Sequence, residues 1–103
     1  LRGRFVTPTV PEGFYSSWAQ YTILFENNLL RDNMQVKLRD KGIPSMVYYP
    51  RGLHQQEAYQ WMQLTDDLYP NTMEATTRVL SIPMHPYLTE DMVDTISKEL
   101  LDN

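Results

Sequence analysis

The sequence contains no cysteine and only 4 glycines among its 103 residues. The absence of cysteine excludes disulfide bonds and thiol nucleophiles, and it leaves the redox compartment undetermined. The glycines are not spaced as a phosphate-binding loop requires, and the sequence has no Gly-x-Ser-x-Gly elbow. The common glycine-based motifs for phosphate binding and serine hydrolysis are therefore missing.

Basic residues and long apolar runs are also scarce. The 9 Lys and Arg residues are outnumbered by 13 Asp and Glu residues, which gives a net charge of -4. An acidic chain without a basic stripe argues against nucleic acid as a partner. No apolar run approaches the roughly 18 residues of a membrane helix, and the N-terminus lacks an apolar signal core. We therefore expect neither nucleic acid nor a membrane as partner.

Metal-ligand patterns are likewise missing. The two histidines, His54 and His85, lie far apart in the sequence and have no partner at metal-ligand spacing. The five acidic residues from position 57 to position 90 are scattered, which is typical of solvated surfaces: Glu57, Asp66, Asp67, Glu74 and Glu90. The sequence predicts no metal site and gives no residue a catalytic role.

The chain is predicted to form an extended arm followed by one small domain. Residues 1–15 form the arm, because Pro8 and Pro11 lack an N–H and disfavour regular structure. The remaining residues, 16–103, have the length of a single domain. Since the sequence starts at Leu1 without a methionine, we expect it to be a piece of a longer protein.

Three strands and two main helices are predicted within this domain. Alternating apolar residues predict a strand over 17–26, and short β-rich runs predict strands over 45–49 and 78–82. Apolar residues at helical spacing predict helices over 30–41 and 89–101. Two further short helices are predicted near 55–63 and 71–77, and these side chains are expected to form the core: Ala19, Tyr21, Ile23, Phe25, Leu30, Met34, Leu38, Met92, Ile96 and Leu100.

Helices with one apolar stripe on a small sheet indicate an α+β fold. We predict a two-layer sandwich in which the helices pack on one face of a mainly antiparallel, three-stranded sheet. Gly42 is placed to end the first helix in the left-handed conformation, and Thr89 is placed to cap the last helix.

A polar loop follows the predicted middle strand in the stretch SMVYYPRGLH. Tyr48 and Tyr49 at a strand end are most often packing residues, but aromatic side chains at strand ends also line ligand pockets. Arg51 and His54 are most often solvated, although an arginine beside aromatic residues can bind an anion. His85 lies in a turn whose direction is fixed by prolines on either side.

Three stretches together resemble the C-terminal small domain of the DegT/DnrJ/EryC1/StrS aminotransferases: SSWAQYTI, RDNMQVKLRDKGIPSMVYYPRGLHQQEAY and RVLSIPMHPYLTEDMVDTI. The resemblance covers about residues 7–101. The Gly-Ile-Pro before the family's strand is found at 42–44, its aromatic-Tyr-Pro strand end at 48–50, and its Leu-His-x-Gln turn begins at Leu53.

The resemblance implies a fold-type-I enzyme that uses pyridoxal phosphate to aminate keto-sugar nucleotides in polysaccharide biosynthesis. It implies a cytoplasmic homodimer whose substrates are a keto-sugar nucleotide and an amino donor. It also implies substrate-binding roles for the loop residues Tyr48, Tyr49, Arg51 and His54, and for His85 in the turn.

The cofactor itself is expected to be held by a large domain that precedes this segment in the family. Lys37, Lys41 and Lys98 are predicted at exposed helical positions, so none is placed to form the Schiff base with pyridoxal phosphate. No cofactor-binding residue is therefore assigned within the chain, and the isolated chain is expected to be inactive. Two alternatives stay open: a sugar dehydratase of the same family, and a stand-alone small α+β binding or regulatory module.

Overall fold

The structure, a computed structural model, describes residues 5–102. Residues 1–4 of the predicted arm and residue 103 of the predicted domain lie outside the described residues. The five main elements are strand β1 (Tyr21–Leu24), helix α1 (Asn28–Asp40), helix α2 (Pro70–Arg78), strand β2 (Val79–Ile82) and helix α3 (Glu90–Leu101). Three short 3₁₀ helices occupy Leu53–Gln55, Glu57–Met62 and Asp66–Leu68.

The sheet and the helices bury one shared apolar core. Strands β1 and β2 pair antiparallel with Ile23 opposite Leu80, so these two side chains lie on the same face. Both are fully buried, and helices α1 and α3 contribute buried residues to the same cluster. Burying one such aliphatic side chain contributes about 1.5–3 kcal/mol. The cluster consists of Ile23, Phe25, Met34, Leu38, Leu80, Ile96 and Leu100. The predicted α+β fold with helices on one sheet face is confirmed.

The helix ends lie at capping residues, of which Gly42 and Thr89 were predicted from the sequence. Asn27 begins α1, because its side-chain oxygen accepts a hydrogen bond from Leu30 N at 2.9 Å. Gly42, with φ +73°, ends it in the left-handed conformation that glycine adopts without strain. Thr89 caps α3 by accepting a hydrogen bond from Met92 N at 3.2 Å. Both main helices therefore lie where the sequence placed them, to within two residues.

The sheet has two strands rather than the predicted three. The predicted strand over 45–49 is reduced to one antiparallel bridge between Met46 and Ser81, with N···O distances of 3.0 and 2.8 Å. Pro44 and Pro50 flank this stretch, and a proline cannot donate a hydrogen bond to a neighbouring strand. Along the β2 edge of the sheet, within residues 5–102, the predicted third strand is therefore represented by Met46 alone.

The first predicted strand is also shorter than 17–26, because Trp18 has a left-handed φ of +52°. That conformation interrupts the extended chain, and Ala19 is exposed rather than part of the core. Leu30 and Met92 were also predicted in the core, and each is about half exposed. The alternation of β1 therefore places Ile23 and Phe25 correctly and misplaces the residues before Tyr21.

Val6 of the arm forms an antiparallel bridge with Leu24 of the sheet. Phe5 packs edge-on against Phe25, with 5.0 Å between the ring centroids. No helix within residues 5–102 is both long enough and apolar enough to cross a membrane.

Candidate functional site

Tyr48 and His85 come together at one end of the sheet. The bridge from Met46 to Ser81 holds the chain before Tyr48 beside strand β2, and His85 lies in the turn that follows β2. The two side chains line a hollow of about 230 Å³. Two predicted site residues that are distant in sequence therefore share one concave surface, which we call the strand-end hollow. Its further lining residues are Ala19, Gln20, Pro44, Ser45, Met46, Ser81, Ile82, Pro83 and Met84.

The orientation of His85 is fixed by its own turn. Its Nδ1 accepts a hydrogen bond from Tyr87 N at 3.2 Å, and its ring lies 6.3 Å from that of Tyr87. A neutral imidazole that accepts at Nδ1 carries its proton on Nε2. His85 therefore has a hydrogen-bond donor available for a polar ligand.

Arg51 and His54 share a second hollow, of about 360 Å³, which we call the loop hollow. It is lined by Arg51, His54, Gln55, Gln60, Leu64 and Asp66. The guanidinium of Arg51 donates from Nη2 to the carbonyl oxygen of Gln55 at 2.7 Å. Tyr49 lines neither hollow and is 72% exposed. The structure thus divides the five predicted site residues into two pairs and one exposed tyrosine.

His54 is held from three sides. Its Nε2 lies 2.8 Å from Oδ1 of Asp66, and its ring packs on Tyr69 with 4.7 Å between centroids. Gly52 closes the third side, because a Cβ there would lie 2.6 Å from Cε1 of His54 and 2.9 Å from the methyl group of Thr72. The His54 side chain is only 5% exposed, so little of the imidazole faces solvent.

Asp66 and Gln55 complete this arrangement, and sequence reasoning missed both. The Asp66 carboxylate, assigned from sequence to a solvated surface, remains exposed but also meets Nε2 of Gln55 at 3.2 Å. The side-chain oxygen of Gln55 accepts from Gly52 N at 2.9 Å. Gln55 stands at the variable position of the Leu-His-x-Gln turn, and Asp66 lies twelve residues after His54, so neither residue carried a signal in the sequence.

The three lysines of the chain lie in two kinds of surroundings. Lys37 is not exposed as predicted: its Nζ donates to the carbonyl oxygens of Glu99, at 2.8 Å, and Asp102, at the end of α3. A positive charge at this place is stabilising, because the C-terminus of a helix carries a partial negative charge. Lys41 and Lys98 are exposed. Residues 5–102 also contain no group of three or more His, Asp or Glu side chains placed to hold a metal.

Comparison with known proteins settles the family. The sequence model of the DegT/DnrJ/EryC1/StrS aminotransferase family matches residues 1–101. The chain belongs to this family. The resemblance seen in the sequence alone is therefore confirmed.

Relatives of the chain include both curated proteins and solved structures. A UDP-2-acetamido-2-deoxy-3-oxo-D-glucuronate aminotransferase of Pseudomonas aeruginosa is 34% identical over 96 residues, which are 91% of this chain and 24% of that protein. A pleiotropic regulatory protein of Geobacillus stearothermophilus is 33% identical over 97 residues, which are 94% of this chain and 25% of that protein. The chain therefore spans about a quarter of the length of these relatives.

The fold agrees with that of a solved family member. The crystal structure of a DegT DnrJ EryC1 StrS aminotransferase from Brucella abortus matches with a TM-score of 0.84 and 39% identity. The match covers 95% of this chain and 26% of that one. The chain thus has the fold of about one quarter of a larger aminotransferase.

Proposed function

We propose that this chain acts as the small C-terminal domain of a longer, pyridoxal-phosphate-dependent aminotransferase, the parent protein, which aminates keto-sugar nucleotides. The observation that carries the proposal is the match of 95% of the chain to one quarter of the Brucella enzyme. Two relatives with names of UDP-sugar aminotransferases, from Pseudomonas aeruginosa and Acidithiobacillus ferrooxidans, are 34% and 33% identical to the chain and support the substrate class. The same resemblance leads us to infer a cytoplasmic homodimer.

The chain's own residues bind and orient substrate in this proposal. Pyridoxal phosphate, when bound by the rest of the parent protein, carries the amino group between donor and keto-sugar. The three lysines here are either engaged at the end of α3 or exposed, so the cofactor lysine is expected elsewhere in the parent protein. The isolated chain is therefore expected to be inactive.

The two hollows suit different parts of a sugar nucleotide. In the strand-end hollow, the Tyr48 hydroxyl and Nε2–H of His85 can meet sugar hydroxyls or carbonyl groups. The exposed ring of Tyr49 offers a face on which a planar base can stack. Arg51 offers a cation for the diphosphate. His54 has its Nε2 engaged by Asp66, and we therefore assign it to the support of this surface.

The proposal can be tested with a chimera in which this chain replaces the corresponding quarter of the Pseudomonas aeruginosa aminotransferase. We expect the chimera to fold, to bind pyridoxal phosphate and to aminate UDP-2-acetamido-2-deoxy-3-oxo-D-glucuronate. The control replaces the same quarter with a scrambled sequence and should be inactive. A chimera that folds and binds the cofactor, yet does not aminate the sugar at any concentration, contradicts the proposed function.

The inactivity of the isolated chain has its own measurement. After incubation with pyridoxal phosphate and reduction with borohydride, mass spectrometry should find no single lysine labelled stoichiometrically at low cofactor concentration. Diffuse, weak labelling of Lys41 and Lys98 is expected, because both are exposed. Stoichiometric labelling of Lys37 alone would show that the chain holds the cofactor itself.

A further inference from the structure

The strongest unassigned feature is a chain of hydrogen bonds that leads from Asp66 to Arg51. Oδ1 of Asp66 meets both Nε2 of His54, at 2.8 Å, and Nε2 of Gln55, at 3.2 Å. The carbonyl oxygen of Gln55 in turn accepts from Arg51 Nη2, at 2.7 Å. Asp66 therefore fixes the turn whose backbone holds the guanidinium.

The guanidinium of Arg51 is not neutralised by an ion pair among the described residues. Within residues 5–102, none of the ion pairs closer than 4.0 Å includes Arg51. Its one hydrogen bond in that range is to a neutral carbonyl, and a guanidinium has five N–H donors. Within the described residues, several N–H donors of Arg51 are thus left for a ligand at the loop hollow.

We propose that Asp66, through His54 and Gln55, positions Arg51 to bind a diphosphate group. A planar guanidinium binds phosphate oxygens through paired hydrogen bonds, and holding it in place lowers the entropy lost on binding. Asp66 and His54 are positioning residues here, and Arg51 is the residue that touches the anion. The identification of the diphosphate as that of a sugar nucleotide rests on the proposed function.

Packing around Gly52 supports a positioning role. The ring of His54 lies so close to Gly52 that a methyl group there would overlap it at 2.6 Å. Gly52 has φ of -63°, so its backbone does not require glycine. The need for glycine arises from the space that the imidazole occupies between Asp66, Tyr69 and Thr72.

The negative charge of Asp66 and its proposed role in positioning Arg51 should have opposite effects on anion binding, so a substitution of Asp66 can distinguish them. Asp66→Asn removes a negative charge from the hollow, so Coulomb attraction alone makes an anion bind more tightly. If Asp66 positions Arg51, the same change loosens the turn and weakens anion binding. Asp67→Asn is the matched control, because it removes the same charge from the adjacent residue. Within residues 5–102 the Asp67 side chain accepts a hydrogen bond only from Thr65.

The experiment titrates the chain with inorganic pyrophosphate at constant ionic strength and follows by NMR the backbone amide signals of Gly52 and Gln55, which lie in the turn beside Arg51 and are present in every variant. We expect Arg51→Gln to abolish the response and Asp67→Asn to bind at least as tightly as the unaltered chain. Asp66→Asn should bind about threefold to tenfold more weakly, because the hydrogen bonds from His54 and Gln55 to a carboxylate are replaced by weaker ones to a neutral amide oxygen. Relaxation of the Arg51 Nε should show an ordered side chain that becomes mobile in Asp66→Asn but not in Asp67→Asn.

Gly52→Ala repeats the test without a change of charge, and it decides the matter if Asp66→Asn fails to fold. It should displace the His54 ring and weaken pyrophosphate binding to a similar extent. The inference is wrong if Asp66→Asn binds as tightly as Asp67→Asn, or if Arg51→Gln leaves binding unchanged. Neither result bears on whether the chimera is active, so neither contradicts the proposed function. Conversely, if the chain binds pyrophosphate through Arg51 but the chimera does not aminate the sugar, only the proposed function is contradicted.

Discussion

Two regions of the chain are stabilised by different kinds of interaction. The scaffold, made of β1 with the adjoining Phe25, α1, β2 and α3, supplies every residue of the buried apolar cluster. The connecting segment, residues 48–69, has only 3₁₀ helices and supplies none. Its large apolar side chains are instead exposed to different extents: Tyr48, Tyr49, Leu53, Tyr59, Trp61, Met62, Leu68 and Tyr69.

The connecting segment is ordered by polar contacts centred on one carboxylate. Asp66 meets His54 and Gln55, and Gln55 meets both Gly52 and Arg51. Such contacts contribute about 1 kcal/mol each, less than the burial of a core side chain. We infer that the scaffold sets the stability of the chain, and that the connecting segment can change its surface chemistry at small cost.

The largest expected effect tests this division directly. Leu38→Ala removes a fully buried side chain of the scaffold and should lower the free energy of unfolding by about 2–5 kcal/mol. Trp61→Ala removes a larger side chain from the connecting segment, but that side chain is 77% exposed, so the change should stay within about 0.5 kcal/mol. Urea unfolding of both variants gives the comparison. Similar losses of unfolding free energy in the two variants would mean that the connecting segment also contributes to the core.

A second test asks whether the connecting segment matters for function where it does not matter for stability. In the chimera, Tyr49→Ala should raise KM for the sugar nucleotide by about fivefold to a hundredfold, as for a removed contact in a closed site. The half-reaction with the amino donor should change far less. Tyr15→Ala is the matched control, because Tyr15 is also an exposed tyrosine but belongs to the arm. Equal damage to both half-reactions would place Tyr49 at the cofactor or at a domain interface.

The scaffold was predictable from the sequence because its signals are local and repeated. The spacing of Met34 and Leu38 predicted the buried stripe of α1, and that of Ile96 and Leu100 predicted the stripe of α3. Gly42 marked a helix end through its own conformational freedom. Each signal depends on neighbours within a few residues, and tertiary structure only confirmed it.

The connecting segment was predictable only in part. A run of β-prone residues predicted a strand over 45–49, but pairing depends on donors that Pro44 and Pro50 lack. The role of Asp66 could not be predicted, because it depends on a contact with His54, which lies twelve residues earlier in the sequence. Tyr48 and His85 were both named from sequence, yet their proximity follows from the bridge to β2.

A smaller effect distinguishes the two exposed-looking lysines of the helices. Lys37→Met should lower the free energy of unfolding by about 1 kcal/mol, because its Nζ binds carbonyl oxygens at the C-terminus of α3. Lys98→Met removes the same charge from an exposed position of α3 and should have little effect. Thermal unfolding at low and high salt measures both. A loss for Lys98→Met as large as that for Lys37→Met would show that net charge, rather than this contact, is responsible.

The smallest effect concerns the border between the two regions. The amide of Met46 donates to Ser81 at 3.0 Å, whereas within residues 5–102 no hydrogen bond from the amide of Tyr48 is found. In hydrogen exchange followed by NMR, the Met46 amide should therefore be protected, but less than the paired amides of β1 and β2, because a single bridge opens by local motion. The Tyr48 amide should exchange at nearly the rate of an unfolded chain. The amide of Ser81, which donates to the carbonyl oxygen of Met46 at 2.8 Å, belongs to the same bridge and should show the same protection as that of Met46.

A Tyr48 amide as protected as that of Leu80 would mean that the third strand forms in solution. Tyr48 would then belong to the scaffold, and the surface it shares with His85 would be as rigid as the core.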